Sequence, residues 1–236
     1  MTTTAAHRTV DKIVALQGAD LFGCLPNTVL MKVAGRATIR TLTVGEVLFS
    51  EHDSATALYV VVEGELRSVR RNEDGREQVL STERAGAVLA AVPMFSGGKF
   101  YSTTIADRRS EVLCIQARDV RELCREFPEL LWNLVRVFGE KLRHYAELIE
   151  TLALRNVDQR LAQHLLSLCQ ERGMRHGDVC VVEITMTQAE MASRLGSTRE
   201  VVCRAIAHLQ RCGLIQTMGS RRLTVPSMRS LGRFAG

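Results

Sequence analysis

The sequence predicts an α+β protein, with an N-terminal double-stranded β-roll of the jelly-roll type, a long helix, and a C-terminal winged helix-turn-helix. Three observations support this prediction. Short segments of alternating apolar and polar residues fill 39–116, a helical period begins near Ala117, and two short helices followed by a hairpin come last. We expect the β-roll with its flanking helices over 1–126, the long helix and a hinge over 127–155, and the helix-turn-helix domain over 156–236.

Glycines divide the N-terminal segment into short predicted strands, a spacing that is typical of closed or double-sheet β domains. The pair Asp74-Gly75 predicts a tight hairpin turn, because these residue types tolerate the positive φ angles that such a turn needs. The six predicted strand segments read ATIRTLTV, EVLFSE, ALYVVVEGELRSVRR, EQVLSTE, STTIAD and EVLCIQ.

The helix that opens at Pro128 has two apolar rows. One row recurs at spacings of four and three over three heptads, and a second row of Leu130, Leu134, Val137 and Leu148 flanks it. Burial of both rows requires the chain's own β domain and one more partner, most simply the same helix of a second subunit, so we expect a homodimer. The alternative is a helix buried within one domain. The predicted dimer interface consists of Leu131, Val135, Phe138, Leu142, Tyr145, Ile149 and Leu152.

The C-terminal domain begins with a predicted amphipathic helix at 156–172, which Gly173 ends, and a strand with the sequence DVCVVEIT. The segment TQAEMASRLG then predicts a short helix, for which Thr187 and Glu190 form a capping box. A second short helix is predicted over 199–211. The segment LIQTMGSRRLTV completes a winged helix-turn-helix as a hairpin that turns at residues 219 and 220.

The second short helix separates an apolar face from a polar one. Thr198 is its expected N-cap, and Val202, Ile206 and Leu209 are spaced to face Met191 and Leu195 in the core. The opposite face presents Arg199, Glu200, Cys203 and Arg204.

These residue types suit the reading of DNA bases. An arginine can bond guanine O6 and N7 together, a glutamate can accept a hydrogen bond from cytosine N4, and the N-terminal part of a recognition helix enters the major groove. The alternative is an ordinary surface ion pair between Glu200 and Arg204, four residues apart. The expected contacts to the phosphate backbone are Thr187, Ser197, Thr198, Arg221 and Arg222.

Positive charge is concentrated at the C-terminal end. The net charge of the chain is +5, whereas the residues from 187 onward hold eight arginines against two glutamates, a balance of +6. Such an excess is typical of polyanion binding, although a solvated arginine-rich face is the alternative. No apolar stretch approaches the roughly 18 residues that span a bilayer, and the N-terminus lacks an apolar signal core, so we expect a cytoplasmic protein without a membrane partner.

Enzyme and metal-site classes are not favoured. The seven cysteines include no CxxC pair, which argues against a zinc ribbon and against a thioredoxin motif. The chain also lacks the settings of a nucleophile elbow, a P-loop, an HExxH zinc site or a GxGxxG loop. We therefore expect no catalytic residues and no metal ligands.

Long stretches of the chain resemble the CRP/FNR family of bacterial transcription regulators. The segment from LTVGEVLFSEHDSATALYVVVEGEL to AAVPMFSGG is similar to that family's cyclic-nucleotide-binding β-roll, and NVDQRLAQHLLSL with TMTQAEMASRLGSTREVVCRAIAHLQRCGLI is similar to its DNA-binding domain. The resemblance implies that Arg199, Glu200 and Arg204 read bases in double-stranded DNA. It also implies a homodimer on a roughly palindromic operator and contact with RNA polymerase, with activation and repression both compatible.

The resemblance fails at the effector pocket. Family members that bind cyclic AMP use a Gly-Glu pair for the ribose and an Arg-Ser pair for the phosphate, and ungapped alignment places Ala90 and Ala91 on the first pair and Tyr101 and Ser102 on the second. Because a buried phosphate without its arginine is strongly disfavoured, we expect no response to cyclic AMP.

The resemblance raises two other cofactors, because members of the family use an iron-sulfur cluster or haem. An iron-sulfur cluster is not expected, since only Cys24 precedes residue 100. Haem stays open, because some family members use it. The candidate haem ligands are His7, His52, His144 and His164.

Cys203 is a candidate redox switch. A thiol on the recognition helix between two arginines is expected to be open to oxidation, and an oxidised sulfur there would place bulk against DNA. The alternative is that Cys203 merely replaces a serine. A further alternative for the whole chain is a regulatory binding subunit of the cyclic-nucleotide type, which acts through protein partners.

Overall fold

The structure of the protein is a computed structural model that describes residues 11–218 and 221–236. The chain divides into two compact units, and each is described by itself. Among the described residues, the first unit contains 11–70 and 80–145, and the second contains 71–79, 146–218 and 221–236. The long helix contributes residues to both units.

The first unit is built on two four-stranded sheets, as the predicted β-roll requires. One sheet has the strand order β1-β8-β3-β6 and the other the order β2-β7-β4-β5. Apolar side chains from both sheets, among them Leu42, Tyr59 and Val112 from the first and Phe49 and Leu66 from the second, form a shared core. The strands are β1 Thr38–Leu42, β2 Val47–Phe49, β3 Ala57–Glu63, β4 Glu65–Arg71, β5 Glu77–Arg84, β6 Val88–Leu89, β7 Thr103–Ala106 and β8 Ser110–Gln116.

Gly64 divides the longest predicted strand segment into β3 and β4, which belong to different sheets. Its φ is +93°, and a Cβ at this position would lie 2.6 Å from the Cα of Ser110 and the carbonyl oxygen of Arg109. Only glycine fits both the positive φ angle and this close approach of two backbones. The chain can therefore cross from one sheet to the other within a single residue.

The hairpin between β4 and β5 differs from the predicted tight turn. Gly75 has a φ of +76°, but Asp74 does not have a positive φ angle. The amide of Asn72 donates to the carbonyl of Arg76, and the amide of Arg76 donates to the side-chain oxygen of Asn72. The turn is thus a three-residue loop with one left-handed glycine, a common hairpin connection, and the expectation for Asp74 was wrong.

The long helix lies with one apolar row in the core and leaves the other row in solvent. Leu130, Leu134 and Val137 are buried. Leu131, Val135, Leu142 and Ile149 of the predicted dimer interface are 44%, 59%, 72% and 67% exposed, whereas Phe138, Tyr145 and Leu152 are half-buried. The helical segments of the chain up to this point are α1 (residues 11–17), α2 Asn27–Arg36, α3 Ala91–Ser96, α4 Ala117–Glu126 and α5 Glu129–Leu154.

The second unit has the predicted order of helices and strands, with two additions. A strand at Met174–His176 and a final helix at Met228–Ala235 were not predicted. The predicted turn of the wing at residues 219 and 220 lies outside the described residues. The elements are α6 Val157–Arg172, β9 Met174–His176, β10 Val179–Glu183, α7 Gln188–Leu195, α8 Arg199–Arg211, β11 Gln216–Met218, β12 Arg222–Val225 and α9 Met228–Ala235.

The wing is part of a four-stranded sheet with the order β11-β12-β10-β9. The helices pack on it through a core that includes Leu161 and Leu165 of α6, Cys180 of β10 and Leu231 of α9. Among the described residues, no helix is both long enough and apolar enough to cross a membrane.

Candidate DNA-reading surface and effector pocket

Helix α8 is anchored on its predicted apolar face. Val202 and Leu209 are fully buried, Ile206 packs against the same core, and Met191 and Leu195 of α7 are also buried there. Gly196 ends α7 in the left-handed conformation at φ +60° and allows the sharp turn into α8. The sequence prediction of this helix pair is confirmed in both bounds and burial.

The polar face of α8 presents the three predicted base-reading side chains to solvent. Arg199, Glu200 and Arg204 are exposed on the first turn and a half of the helix. Among the described residues neither guanidinium lies within ion-pair distance of a carboxylate oxygen, although the positive charges of both act on Glu200. The guanidinium groups are therefore available to acceptors in a DNA groove.

The start of the helix keeps the Glu200 carboxylate ionised. The pKa of Glu200 is lowered chiefly by a hydrogen bond from its own backbone N–H, then by one from the Thr198 hydroxyl, with a smaller contribution from the positive charges of Arg199 and Arg204. An ionised carboxylate is a pure acceptor. This matches the amino group of cytosine.

Thr198 does not act as the predicted side-chain cap. It occupies the N-cap position of α8, but its side chain accepts no hydrogen bond from the helix backbone. Its hydroxyl donates to the Glu200 carboxylate instead. The expected cap interaction was wrong, because the carboxylate two residues on competes for the hydroxyl, and Thr198 bonds the predicted base-reading side chain of Glu200 instead.

Cys203 is half-buried between the two helices of the helix-turn-helix. Its thiol donates to the Oε1 atom of Gln188 at 3.0 Å. Gln188 is the first residue of α7 and is exposed. Gln188 was not predicted to belong to this surface, although its place directly after the N-cap Thr187 could have indicated that it faces the next helix.

The residues predicted to contact phosphates lie at three places in the second unit. Thr187 is exposed, but its hydroxyl is engaged in the predicted capping box with Glu190, at 3.0 Å from the carboxylate. Ser197 lies half-buried in the turn before α8. Arg221 and Arg222 are exposed at the start of β12, in the wing.

The first unit has a pocket at the predicted effector position. The pocket is small and open to solvent, with a cavity volume of about 20 Å³. Ala90, Tyr101 and Ser102 line it, as the alignment with cyclic-nucleotide sites implies, whereas Ala91 is buried at the start of α3 and is not among the lining residues. The remaining lining residues are Phe49, Ser68, Ser81, Glu83, Leu89, Pro93, Phe100, Lys141 and Tyr145.

Charged and phenolic groups meet across this pocket. Lys141 of α5 donates to the carboxylate of Glu83 at 2.9 Å, and the Ser81 hydroxyl donates to the same oxygen at 2.8 Å. The hydroxyls of Tyr101 and Tyr145 are 3.0 Å apart. Burial, together with the hydrogen bond to Tyr101, raises the pKa of Tyr145, so this phenol stays neutral at physiological pH.

The candidate haem ligands fall at separate places, and no described histidine lines the pocket. His52 sits in an exposed turn with a φ of +72°, and His144 contacts the carbonyl of Leu80 at 2.8 Å. The Nε2 atom of His164 is buried inside the second unit, where desolvation lowers its pKa to about 4. His7 lies outside the described residues. The pocket side chains therefore do not fit a haem bound through histidine.

Two family models match the chain at the places where the fold suggests them. Residues 39–127 match the cyclic nucleotide-binding domain, and residues 159–234 match the Crp-like helix-turn-helix domain. Together these segments contain well over half of the residues. The chain belongs to the CRP/FNR family. Among the described residues, its two units contain the sensor-type β-roll and the winged helix-turn-helix that this family combines.

Similar proteins agree with this assignment. The chain is 28% identical to a CRP-like cAMP-activated global transcriptional regulator of Mycobacterium tuberculosis, over 78% of this chain and 83% of that protein. It is 26% identical to the global nitrogen regulator of a Nostoc species, over 83% and 88%. A solved CRP/FNR-family regulator from Eubacterium rectale shares the fold with a TM-score of 0.77 at 20% identity, over 93% of this chain and 99% of that one.

The chain is accordingly a transcription regulator of the CRP/FNR type with a DNA-binding helix-turn-helix, and not an enzyme. Regulators of this family bind DNA and typically act as dimers. The similar proteins carry different names, since one is described as cAMP-activated and another as a nitrogen regulator. Membership alone therefore does not identify the effector.

Proposed function

We propose that this CRP/FNR-family regulator is a homodimer that reads a roughly palindromic operator with Arg199, Glu200 and Arg204 and does so without cyclic AMP. The observation that carries the proposal is the exposed, unpaired state of both guanidinium groups beside a carboxylate that the helix start keeps ionised. Two arginines and one carboxylate can together discriminate guanine and cytosine in one half-site.

The dimer is supported by the exposed row of α5. Leu131, Val135, Leu142 and Ile149 follow the heptad spacing and lie in solvent beside the buried row. A sustained apolar row of this kind is typical of a coiled-coil partner, and the same helix of a second subunit supplies an identical row. Two recognition helices related by a twofold axis would then address half-sites about 34 Å apart.

Independence from cyclic AMP is supported by the charge of the pocket. No arginine lines it, and its one cation, Lys141, is paired with Glu83. A cyclic phosphate would have to displace that carboxylate or lie beside it as a like charge, and both are unfavourable.

The test of the function is operator binding by the full-length protein, measured by fluorescence anisotropy at fixed salt. We expect Arg204→Ala to weaken binding to an operator selected with the wild-type protein by about tenfold or more, the value of one lost bidentate base contact. Arg211→Ala removes an arginine from the far end of the same helix and serves as the matched control. An equal loss of operator affinity in Arg204→Ala and Arg211→Ala would contradict base reading by Arg204.

Contact with RNA polymerase belongs to the same proposal, because it is typical of the family. Repression by occupation of a promoter is equally compatible with these residues, and reporter assays with an operator placed upstream of or across a promoter separate the two.

Redox control through Cys203 is a second proposal for the same site, favoured by its position in the DNA-reading surface and its bond to Gln188. Attack of the thiolate on hydrogen peroxide would form an S–O bond and break the O–O bond, and the hydroxide that leaves would take up the proton lost by the thiol, which gives water and a sulfenic acid on Cys203. The added oxygen would disturb the contact between α7 and α8.

A further inference from the structure

Side-chain contacts join the long helix to the β-roll at the effector pocket, and these contacts are called ties below. Three residues within five positions of α5 make these ties. Lys141 pairs with Glu83, His144 contacts the carbonyl of Leu80, and Tyr145 contacts Tyr101. All of these residues belong to the first unit.

The ties leave the pocket without unsatisfied buried groups. Glu83 is 7% exposed, and its carboxylate is met by both Lys141 and Ser81. The buried hydroxyl of Ser68, which also lines the pocket, lies 2.9 Å from the buried hydroxyl of Thr104 and bonds it. The buried side-chain atoms that lack a partner among the described residues are on Arg160 and His164, both in the second unit.

A pocket that binds a polar effector needs groups that the effector can satisfy, because buried polar atoms left unpaired are strongly disfavoured. Here the cation, the carboxylate and the phenols that face the cavity already satisfy one another. A ligand would have to break these bonds before it formed its own. The same bonds join the β-roll, through β5 and the loop before β7, to α5. A ligand in this pocket would bridge the same two parts of the unit, the β-roll and α5.

The geometry points to side chains that take the place of an effector. The Glu83–Lys141 ion pair, with the Tyr101–Tyr145 bond beside it, holds α5 on the β-roll in the arrangement that binds DNA. Operator binding therefore needs no small molecule. The inference rests on the proposed function for its DNA readout. It also makes a claim about the first unit that can be tested without DNA.

The first test is operator affinity of full-length protein after extensive dialysis. Lys141→Met keeps the length and the apolar stem but removes the charge, and Glu83→Gln removes the opposite charge. We expect each variant to bind the operator about tenfold or more weakly, and the double variant to bind about as well as either single one, because the two residues act as one pair. The charge-swapped variant Glu83→Lys with Lys141→Glu should recover most of the affinity.

The matched controls are ion pairs in solvent. Lys32→Met removes the cation of the exposed pair with Glu126, and Glu140→Gln removes the carboxylate of the exposed pair with Arg136. Exposed pairs contribute little, so both controls should bind the operator within about twofold of wild type. Variants at Lys141 and Glu83 that fold and bind like these controls would overturn the inference.

The second test is hydrogen exchange of the DNA-free protein. We expect the backbone amides of α5 around residues 141–149 to exchange faster in Lys141→Met than in Lys32→Met, and the charge-swapped variant to restore slow exchange. Equal exchange rates of these amides in Lys141→Met and Lys32→Met would overturn the inferred role of the ion pair, even if the operator were unknown. If the wild-type protein bound no operator while exchange changed as expected, the proposed function would fail and the tie would stand.

The third test adds cyclic AMP at millimolar concentration to the dialysed wild-type protein. Operator affinity should not change. A tenfold increase in affinity would show that the pocket still accepts an effector and would overturn the inference.

Discussion

The thiol of Cys203 donates a hydrogen bond to the side-chain oxygen of Gln188, with 3.0 Å between sulfur and oxygen. The bond joins the polar face of α8 to the first residue of α7. We therefore expect a change at this sulfur to affect the packing of the two helices as well as the surface proposed to contact DNA.

Replacement of Cys203 by serine should separate structure from redox chemistry. A serine hydroxyl can donate to the same oxygen of Gln188, so Cys203→Ser should bind the operator within a few-fold of wild type under reducing conditions. Peroxide should weaken operator binding of wild type but not of Cys203→Ser. Cys212→Ser, which changes an exposed cysteine just after α8, should leave the sensitivity to peroxide intact. Equal peroxide effects on wild type and Cys203→Ser would contradict the redox proposal.

Replacement of Ala90 by glycine should stabilise the folded protein. Its φ is +67°, and a left-handed backbone costs a residue with a Cβ roughly 1 kcal/mol. Ala90→Gly should therefore raise the free energy of unfolding by about 0.5 kcal/mol, after the larger entropy of the unfolded glycine is counted. Ala91→Gly, one residue on and helical, should lower that free energy by about 0.5–1 kcal/mol. Denaturant unfolding curves measure both, and a destabilised Ala90→Gly would contradict the strain.

His164 should make stability depend on pH. Burial lowers its folded-state pKa to about 4, from 6.5, and the charges of Arg194 and Arg172 act in the same direction while Glu171 opposes them. The folded state therefore binds fewer protons than the unfolded state between these values, and stability falls as pH drops from about 6.5 to about 4, by roughly 2 to 3 kcal/mol.

The check is the free energy of unfolding measured across that range in wild type and His164→Gln. The variant should lack this part of the decline. His176→Gln removes an exposed histidine of the same unit and should retain it. Identical pH profiles for wild type and His164→Gln would show that His164 does not titrate as its burial requires.

Leu142 should be essential for dimerisation. It is 72% exposed on the predicted interface row, and a carboxylate in a coiled-coil seam would be desolvated opposite its own copy. Leu142→Glu should convert the protein to a monomer in light scattering coupled to gel filtration. Arg143→Glu changes the exposed neighbour that lies off the row and should leave the dimer in place. A monomeric wild-type protein would contradict the dimer.

Local patterns in the sequence were sufficient to predict the recognition helix. The capping box at Thr187, the left-handed Gly196 and the apolar spacing of Val202 and Leu209 act within a few residues of each other, and the structure has the predicted bounds for α8. The alignment was also informative where it placed a family glycine on Ala90, since the backbone there has a positive φ angle.

Interactions between distant residues could not be predicted in the same way. Glu83 and Lys141 are 58 positions apart, and neither has a local pattern that distinguishes it from a solvated charge. The Thr198 hydroxyl has two acceptable partners within one helical turn, and only the position of the Glu200 carboxylate decides between them. Helix α9 is a different case: Ser227 caps it and Met228, Leu231 and Phe234 recur at helical spacing, but the segment is only eight residues long, and its packing against α6 stabilises it.

The central claim is that two copies of the recognition helix read DNA bases through Arg199, Glu200 and Arg204. Selection from random duplexes with the reduced, dialysed full-length protein tests it most directly. We predict enrichment of a palindrome whose half-sites are centred about one helical turn apart. Selection with Arg204→Ala should no longer show the preference for a G·C pair at one position of each half-site. Enrichment of no sequence, or of the same palindrome with undiminished preference by Arg204→Ala, would contradict the account.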